Sequence, residues 1–168
     1  MPDRSRNRSK PMNRLPLTRS KIMSRIRGRD TAPELRVRKI VRDSGVRYRV
    51  GLASVPGKPD LVFSSCRKAI FVHGCFWHGH PCRSGYRKPK TNAQFWEEKI
   101  GANKIRDRRI LGRLRRDNWK VLVIWACQIT PEPILRTKLL RFLNAPNQAG
   151  KEIAGTMRSK TSVSSHLP

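Results

Sequence analysis

A small α/β sandwich, with helices on both faces of a mixed sheet, is the fold this sequence predicts, and three observations carry the prediction. Helix-period and strand-period segments follow one another as α-β-β-β-α-β-α, the order of a layered α/β domain. Lys68-Ala-Ile-Phe-Val72 and Lys120-Val-Leu-Val-Ile-Trp125 are continuous apolar runs, as strands buried on both faces are. Between them, Ala93 to about Asp117 reads as one long basic helix with Trp96, Ile100, Ile110, Leu111 and Leu114 facing inward.

The elements can be justified in order. Thr31-Ala-Pro-Glu34 is a capping box, with Thr31 as N-cap and Glu34 at N3. The helix it opens should run to about Ser44 and stop at Gly45. Val46, Tyr48 and Val50 alternate with arginine and predict a strand. Pro56-Gly-Lys-Pro59 is a turn, and Asp60-Leu-Val-Phe63 starts the next strand. Ser64 and Ser65 turn the chain into the Lys68–Val72 run, and a last helix is expected from about Glu132 to Leu143. Residues 1–29 hold ten basic residues and one acid, with Pro11 and Pro16 breaking any long helix. An arm that orders against phosphates is expected there. Within it Ser20–Arg27 has the pattern of a short helix, with Ile22, Met23 and Ile26 on one face. From Asn144 onward the chain is polar and reads as a tail.

Charge narrows the partners. An excess of 38 Lys+Arg over 11 Asp+Glu gives a net charge of +27, which points to a polyanion without choosing between DNA and RNA. No apolar run approaches the roughly 20 residues that span a bilayer, so no membrane role is expected. Residues 1–10 are polar and basic, with no apolar stretch of the kind that directs secretion. A cytoplasmic, nucleoid-associated setting with reduced thiols follows as the expectation.

Chemistry concentrates between Val72 and Cys82, which reads V-H-G-C-F-W-H-G-H-P-C. Three of four histidines and two of four cysteines lie there, around the adjacent rings of Phe76 and Trp77. Thiolate and imidazole donors at this spacing suit a tetrahedral zinc ion that needs a fourth donor. Cys127, just past a buried strand, is the natural one. The proposed set is Cys75, His80, Cys82 and Cys127; buried, unligated cysteines are the plainer alternative. Four protein ligands close the coordination sphere, so such a zinc is structural and the reaction must be sought elsewhere.

Asp60, at the start of a strand, is the candidate for a second, catalytic metal, since Mg2+ is commonly held by one carboxylate, a carbonyl and phosphate oxygens. A turn-capping aspartate is the competing reading. His73 and His78 remain once His80 is assigned to zinc. Either has the pKa to take a proton from water, and either could instead contact a phosphate. Asp107, on the long helix, could orient such a histidine or simply pair with Arg106 or Arg108. Trp96 could complete a stacking platform with Phe76 and Trp77, or pack in the core. Trp119 and Trp125 read as packing, and Cys66 takes no role.

At this point the sequence resembles a known family. P-G-K-P-D at 56–60, I-F-V-H-G-C-F-W-H-G-H-P-C at 70–82, F-W-E-E-K-I-G-A-N at 95–103, R-D at 106–107 and V-L-V-I-W-A-C at 121–127 resemble the very short patch repair (Vsr) endonucleases. The upstream T-R-S-K-I-M-S-R-I-R-G-R-D-T-A-P-E at 18–34 is similar as well. The resemblance leaves an arm of residues 1–17, a domain of 18–143 and a tail of 144–168.

It implies a restriction-endonuclease-like core and an enzyme that recognises a T:G mismatch, the product of 5-methylcytosine deamination. Such an enzyme nicks double-stranded DNA 5′ of the mismatched thymine, as a monomer, and other repair proteins are candidate partners. By the same resemblance Asp60 and the main-chain carbonyl of Val72 bind Mg2+. His78 activates water with Asp107 orienting it, His73 assists at the scissile phosphate, and Glu34 lies near the metal shell. Phe76, Trp77 and Trp96 match rings that wedge beside the mismatch, and Met23 a residue inserted from the minor groove. Two departures stand out. Val72 replaces a familiar threonine, and H-G-H-P-C replaces a run of histidines, so Gly79 lacks a side chain and Pro81 stiffens the loop. Two other readings fit the same residues: a restriction endonuclease cutting paired DNA, and a non-catalytic zinc-stabilised DNA-binding module.

Overall fold

A computed structural model describes residues 28–87, 89 and 91–145. Residues 28–31 belong with the preceding chain to a unit of their own, and the domain begins at Ala32. The arm, the Ser20–Arg27 segment and the tail beyond 145 lie outside the described residues.

Among the described residues the α-helices and strands are α1 (Ala32–Asp43), β1 (Leu61–Phe63), β2 (Lys68–His73), α2 (Ala93–Arg116), β3 (Lys120–Trp125) and α3 (Glu132–Asn144). The sheet is mixed, as the sequence predicts. β1 pairs antiparallel with β2, and β2 pairs parallel with β3 in the register Lys68↔Lys120 to His73↔Trp125. Because β2 is central and parallel to β3, both strands end at the same edge, and that edge carries the histidines.

Period-two alternation divides the core into two layers. Leu61, Phe63, Ile70 and Ile124 face Val37, Ile40 and Val41 of α1 and Leu135, Leu139 and Leu143 of α3. Val62 and Phe71 face the other way, joining Val55 and Leu114 with Ile110 and Leu111 of α2 packed against them. Helices therefore cover both faces. Gly57 ties the turn before β1 to α2: its φ is +79°, and a Cβ there would stand 2.5 Å from Ile110 Cγ2. Only glycine combines that backbone with that approach.

One strand expectation is corrected. Val46–Val50 forms no named strand; only Arg49 bridges Val62, with hydrogen bonds of 2.9 and 2.8 Å. Alternation there reflects Val46 and Tyr48 packing on the α1 side of the core, while Val50 is exposed. β1 is three residues long and offers too short an edge for a longer ladder. Lys68, read as the head of an apolar run, is fully buried. Its ammonium donates to the carbonyls of Leu143 (2.5 Å) and Ala145 (2.6 Å), closing the C-terminal end of α3. Burial holds its pKa below the usual lysine value.

Candidate active site and metal centre

The loop leaving β2 is wound tightly by its own backbone. The His78 N–H donates to Gly74 O, the His80 N–H to Cys75 O at 2.9 Å and the Tyr86 N–H to Cys82 O at 2.9 Å. Asn103 on α2 donates its side-chain N–H to Trp77 O at 2.9 Å and fastens the loop to the helix. Ligating side chains then separate into two groups.

Cys75, His80, Cys82 and Cys127 form the first, with one ligand atom from each within 4.8 Å of the others. Cys127 Sγ lies 3.6 Å from His80 Nδ1. A tetrahedral zinc with bonds of about 2.0–2.3 Å needs its donors about 3.3–3.8 Å apart, so the spacing suits such an ion. The thiols are electrostatically unequal. A hydrogen bond from His80, helped by the Gly85 backbone, lowers Cys82 to about 6. Burial of its sulfur, with Cys75 and Cys82 alongside, pushes Cys127 up to about 11, although the residue as a whole is exposed. Packed thiolates repel one another, and a divalent cation among them relieves that repulsion. Trp125 stacks on His80 with ring centroids 4.3 Å apart, so its packing role is to seat an imidazole.

His73, His78 and Asp107 form the second group. His78 Nδ1 lies 2.5 Å from Asp107 Oδ2. An ionised carboxylate only accepts, so Nδ1 carries the hydrogen and Nε2 keeps its lone pair. Arg106 reaches the other oxygen of Asp107 only at 3.5 Å, so the imidazole is the closer partner. His73 stacks face to face on His78, with centroids 3.8 Å apart and an interplanar angle of 7°. Burial, then the nearness of the His78 ring, lowers His73 to about 4, so the two stacked rings do not both carry charge.

Asp60 is joined to β2 one residue before His73. Its Oδ2 accepts the Val72 N–H at 2.6 Å across the end of the β1–β2 pair. Burial raises its carboxyl to about 6, and Glu34 adds to the rise. Glu34 is 6% exposed and pairs with Arg38 at 3.2 Å. Two carboxylates, one buried and one partly buried, suit a divalent cation, which offsets both the desolvation and the repulsion.

Phe76, Trp77 and Trp96 meet as an edge-to-face cluster with centroids 5.2–5.8 Å apart, all partly exposed and outside both core layers. Phe95, which the sequence reading passed over, extends the cluster at 5.2 Å from Trp96 and is 53% exposed. Adjacency to Trp96 was the available signal. Asn103 was missed too, because an amide bonding a distant carbonyl leaves no pattern in sequence. Cys66 is buried, with its thiol against Phe63 O, consistent with no chemical role. Met23 lies outside the described residues.

Comparison with known proteins places the chain in a family. A family model described as DNA mismatch endonuclease Vsr matches residues 13–84. The chain is 47% identical over 112 residues to DNA mismatch endonuclease Vsr of Escherichia coli (strain K12), covering 67% of this chain and 71% of that one. It is 40% identical over 129 residues to Type II nicking enzyme V.XorIIP of Xanthomonas oryzae pv. oryzae, covering 77% and 94%. With Type II nicking enzyme V.NmeAIP of Neisseria meningitidis serogroup A it shares 41% identity over 125 residues, covering 74% and 89%. The protein is a DNA endonuclease, and the chain belongs to the family of DNA mismatch endonuclease Vsr.

Proposed function

We propose that this endonuclease nicks one strand of double-stranded DNA, 5′ of the thymine in a T:G mismatch, with Mg2+ as the catalytic cofactor and Zn2+ as a structural one. The observation that carries the reading is the His78–Asp107 pair at 2.5 Å, together with the partly buried Asp60 carboxylate bonded to the Val72 N–H, one residue before His73. Hydrolysis of a phosphodiester needs a base for water and positive charge for the phosphate, and these residues are suited to supply the first and hold the second.

In this reading Asp60 and the Val72 carbonyl hold Mg2+, with Glu34 close by. When bound, the ion supplies charge to the phosphate and to the leaving oxygen. Asp107 fixes the His78 tautomer, so that Nε2 takes the proton from the attacking water. His73, neutral and stacked on His78, donates a hydrogen bond to the scissile phosphate. Cys75, His80, Cys82 and Cys127 close around zinc and keep the loop rigid. That rigidity lets Phe76, Trp77 and Trp96 act as wedges. Unstacking a base step costs roughly a few kcal/mol, and least where pairing is already weak, which favours a wobble pair. Met23, in the Ser20–Arg27 segment that follows the arm of residues 1–17, is the wedge assigned to the minor-groove side.

The sandwich is read as a restriction-endonuclease-like core acting as a monomer in the cytoplasm. Other repair proteins are its expected later partners. Three relatives are named mismatch or nicking enzymes, which supports cutting of one strand. No helix among the described residues is long and apolar enough to cross a membrane.

A strand-resolved nicking assay tests the reading, using T:G and T:A duplexes in a pool of flanking sequences, with and without Mg2+. The expected result is a Mg2+-dependent nick on the thymine strand of T:G alone. Cleavage of both strands of T:A duplexes would replace the proposal with a restriction enzyme.

A further inference from the structure

Beside the loop, on the flank of α2 next to the one carrying Asn103 and Asp107, lies a cleft of about 500 Å3 whose border includes Gly79, Tyr86, Ile100, Gly101 and Lys104, with Glu97, which is already engaged in an interaction of its own, one turn before Gly101. We propose that this cleft is a second phosphate-binding site, in which Lys104 holds a backbone phosphate of the DNA strand next to the one being cut.

Gly79 and Lys104 form the site together. Gly79 has φ +58°, and a Cβ built there would collide with the Lys104 ε-carbon and stand 2.8 Å from its Nζ. The missing side chain is what lets the Lys104 stem run beneath the loop. In sequence Gly79 is only a missing side chain, and in the fold Lys104 fills that space. Lys104 is exposed and lines the cleft, where its ammonium offers three donors. It also sits one helical turn before Asp107, about 4.5 Å along the axis of α2. His78, held by Asp107, immediately precedes Gly79 in the chain. The cation is thus tied to the candidate reaction centre from both the loop and the helix. Ile100 and the exposed ring of Tyr86, 70% accessible, give the cleft an apolar wall on which a deoxyribose can rest. The cleft volume lies within the roughly 300–1,000 Å3 of ordinary ligand sites.

The inference concerns DNA binding and stands apart from the T:G reading, so its test reads affinity without cleavage. Zinc-loaded protein in Mg2+-free buffer is titrated with mismatched duplex over a range of salt concentrations. Lys104→Gln is expected to weaken binding about tenfold and to reduce the salt slope by about 0.9, the contribution of one phosphate. A scan with single uncharged methylphosphonates then locates that phosphate. One position next to the cut should weaken the wild type by a similar factor and leave Lys104→Gln unchanged, which is the coupling expected of a direct contact. Equal affinity and slope in the two proteins would overturn the site. So would losses that add at every position, because Lys104 would then act only through the general charge of the surface.

Discussion

Within eleven residues the loop after β2 builds two groups of ligating side chains, and they differ in almost every physical respect. The cysteine group draws on three places in the chain (the loop, its end at Cys82 and Cys127 beyond β3) and encloses its centre. Its soft donors repel one another until a cation joins them. The histidine group needs only the edge of β2, the loop and α2. It satisfies itself through one 2.5 Å hydrogen bond and one ring stack, which leaves His78 Nε2 unspent. A closed set of donors stabilises a fold, and an open one does chemistry. Adjacent chain segments can therefore carry opposite roles when different elements complete them.

The contrast can be broken from either side. Cys82→Ala should have the largest effect, loss of bound zinc and several kcal/mol of stability, because a structural ion contributes directly to folding. Metal analysis with thermal unfolding reads it, and unchanged zinc content would remove Cys82 from the set. Asp60→Asn should lower nicking by about 10³-fold or more while the zinc content and mismatch affinity stay near wild type. If mismatch binding fell in parallel, Asp60 would be holding the fold. Asp107→Asn should cost about 10²-fold or more in the single-turnover rate, since an amide can present the wrong tautomer to His78. A rate within twofold of wild type would reduce Asp107 to a surface ion pair. Trp77→Ala should reduce the preference for T:G over T:A about tenfold, the scale of one lost stacking contact. Equal losses on both duplexes would make that ring a packing residue.

The smallest effect concerns pH. His73 falls from 6.5 to about 4 on folding, so the unfolded chain binds more protons in that window and stability rises with pH through it. Asp60 rises from 3.8 to about 6, so the folded chain binds more protons and stability falls with pH over almost the same range. The two slopes oppose. In Mg2+-free buffer their sum should be nearly flat between about pH 4 and 6. Asp60→Asn removes one of them and should expose a loss of stability on acidification, at most about 1.4 kcal/mol per pH unit. Equal pH profiles for the two proteins would show that the shifts are not balanced in this way.

How much of this was legible in the sequence depended on whether a feature was local. β2 and β3 were readable because central strands are apolar on both faces, and α1 because its turn signals are short-range. The mixed sheet followed from that order of elements. The Val46–Val50 segment misled because alternation reports one buried face, and says nothing of whether a neighbouring edge is long enough to pair with. The cysteine spacing could be read from the chain, and so could the presence of two spare histidines. Their face-to-face stacking could not, because it depends on the path of the loop. Nor could the closure of α3 by Lys68, since a lysine at a strand end looks solvated until a distant helix terminus arrives above it. Gly79 and Lys104 were both visible, but 25 residues apart nothing linked them.

The most direct test of the division between the two groups is a metal-resolved single-turnover experiment on zinc-loaded protein with a T:G duplex. Mg2+ is withheld, added and then chelated while folding is followed by circular dichroism. The account predicts one zinc retained per chain throughout, an unchanged spectrum, and a nick only while Mg2+ is present. Nicking supported by the retained zinc alone, or unfolding when Mg2+ is removed, would contradict it.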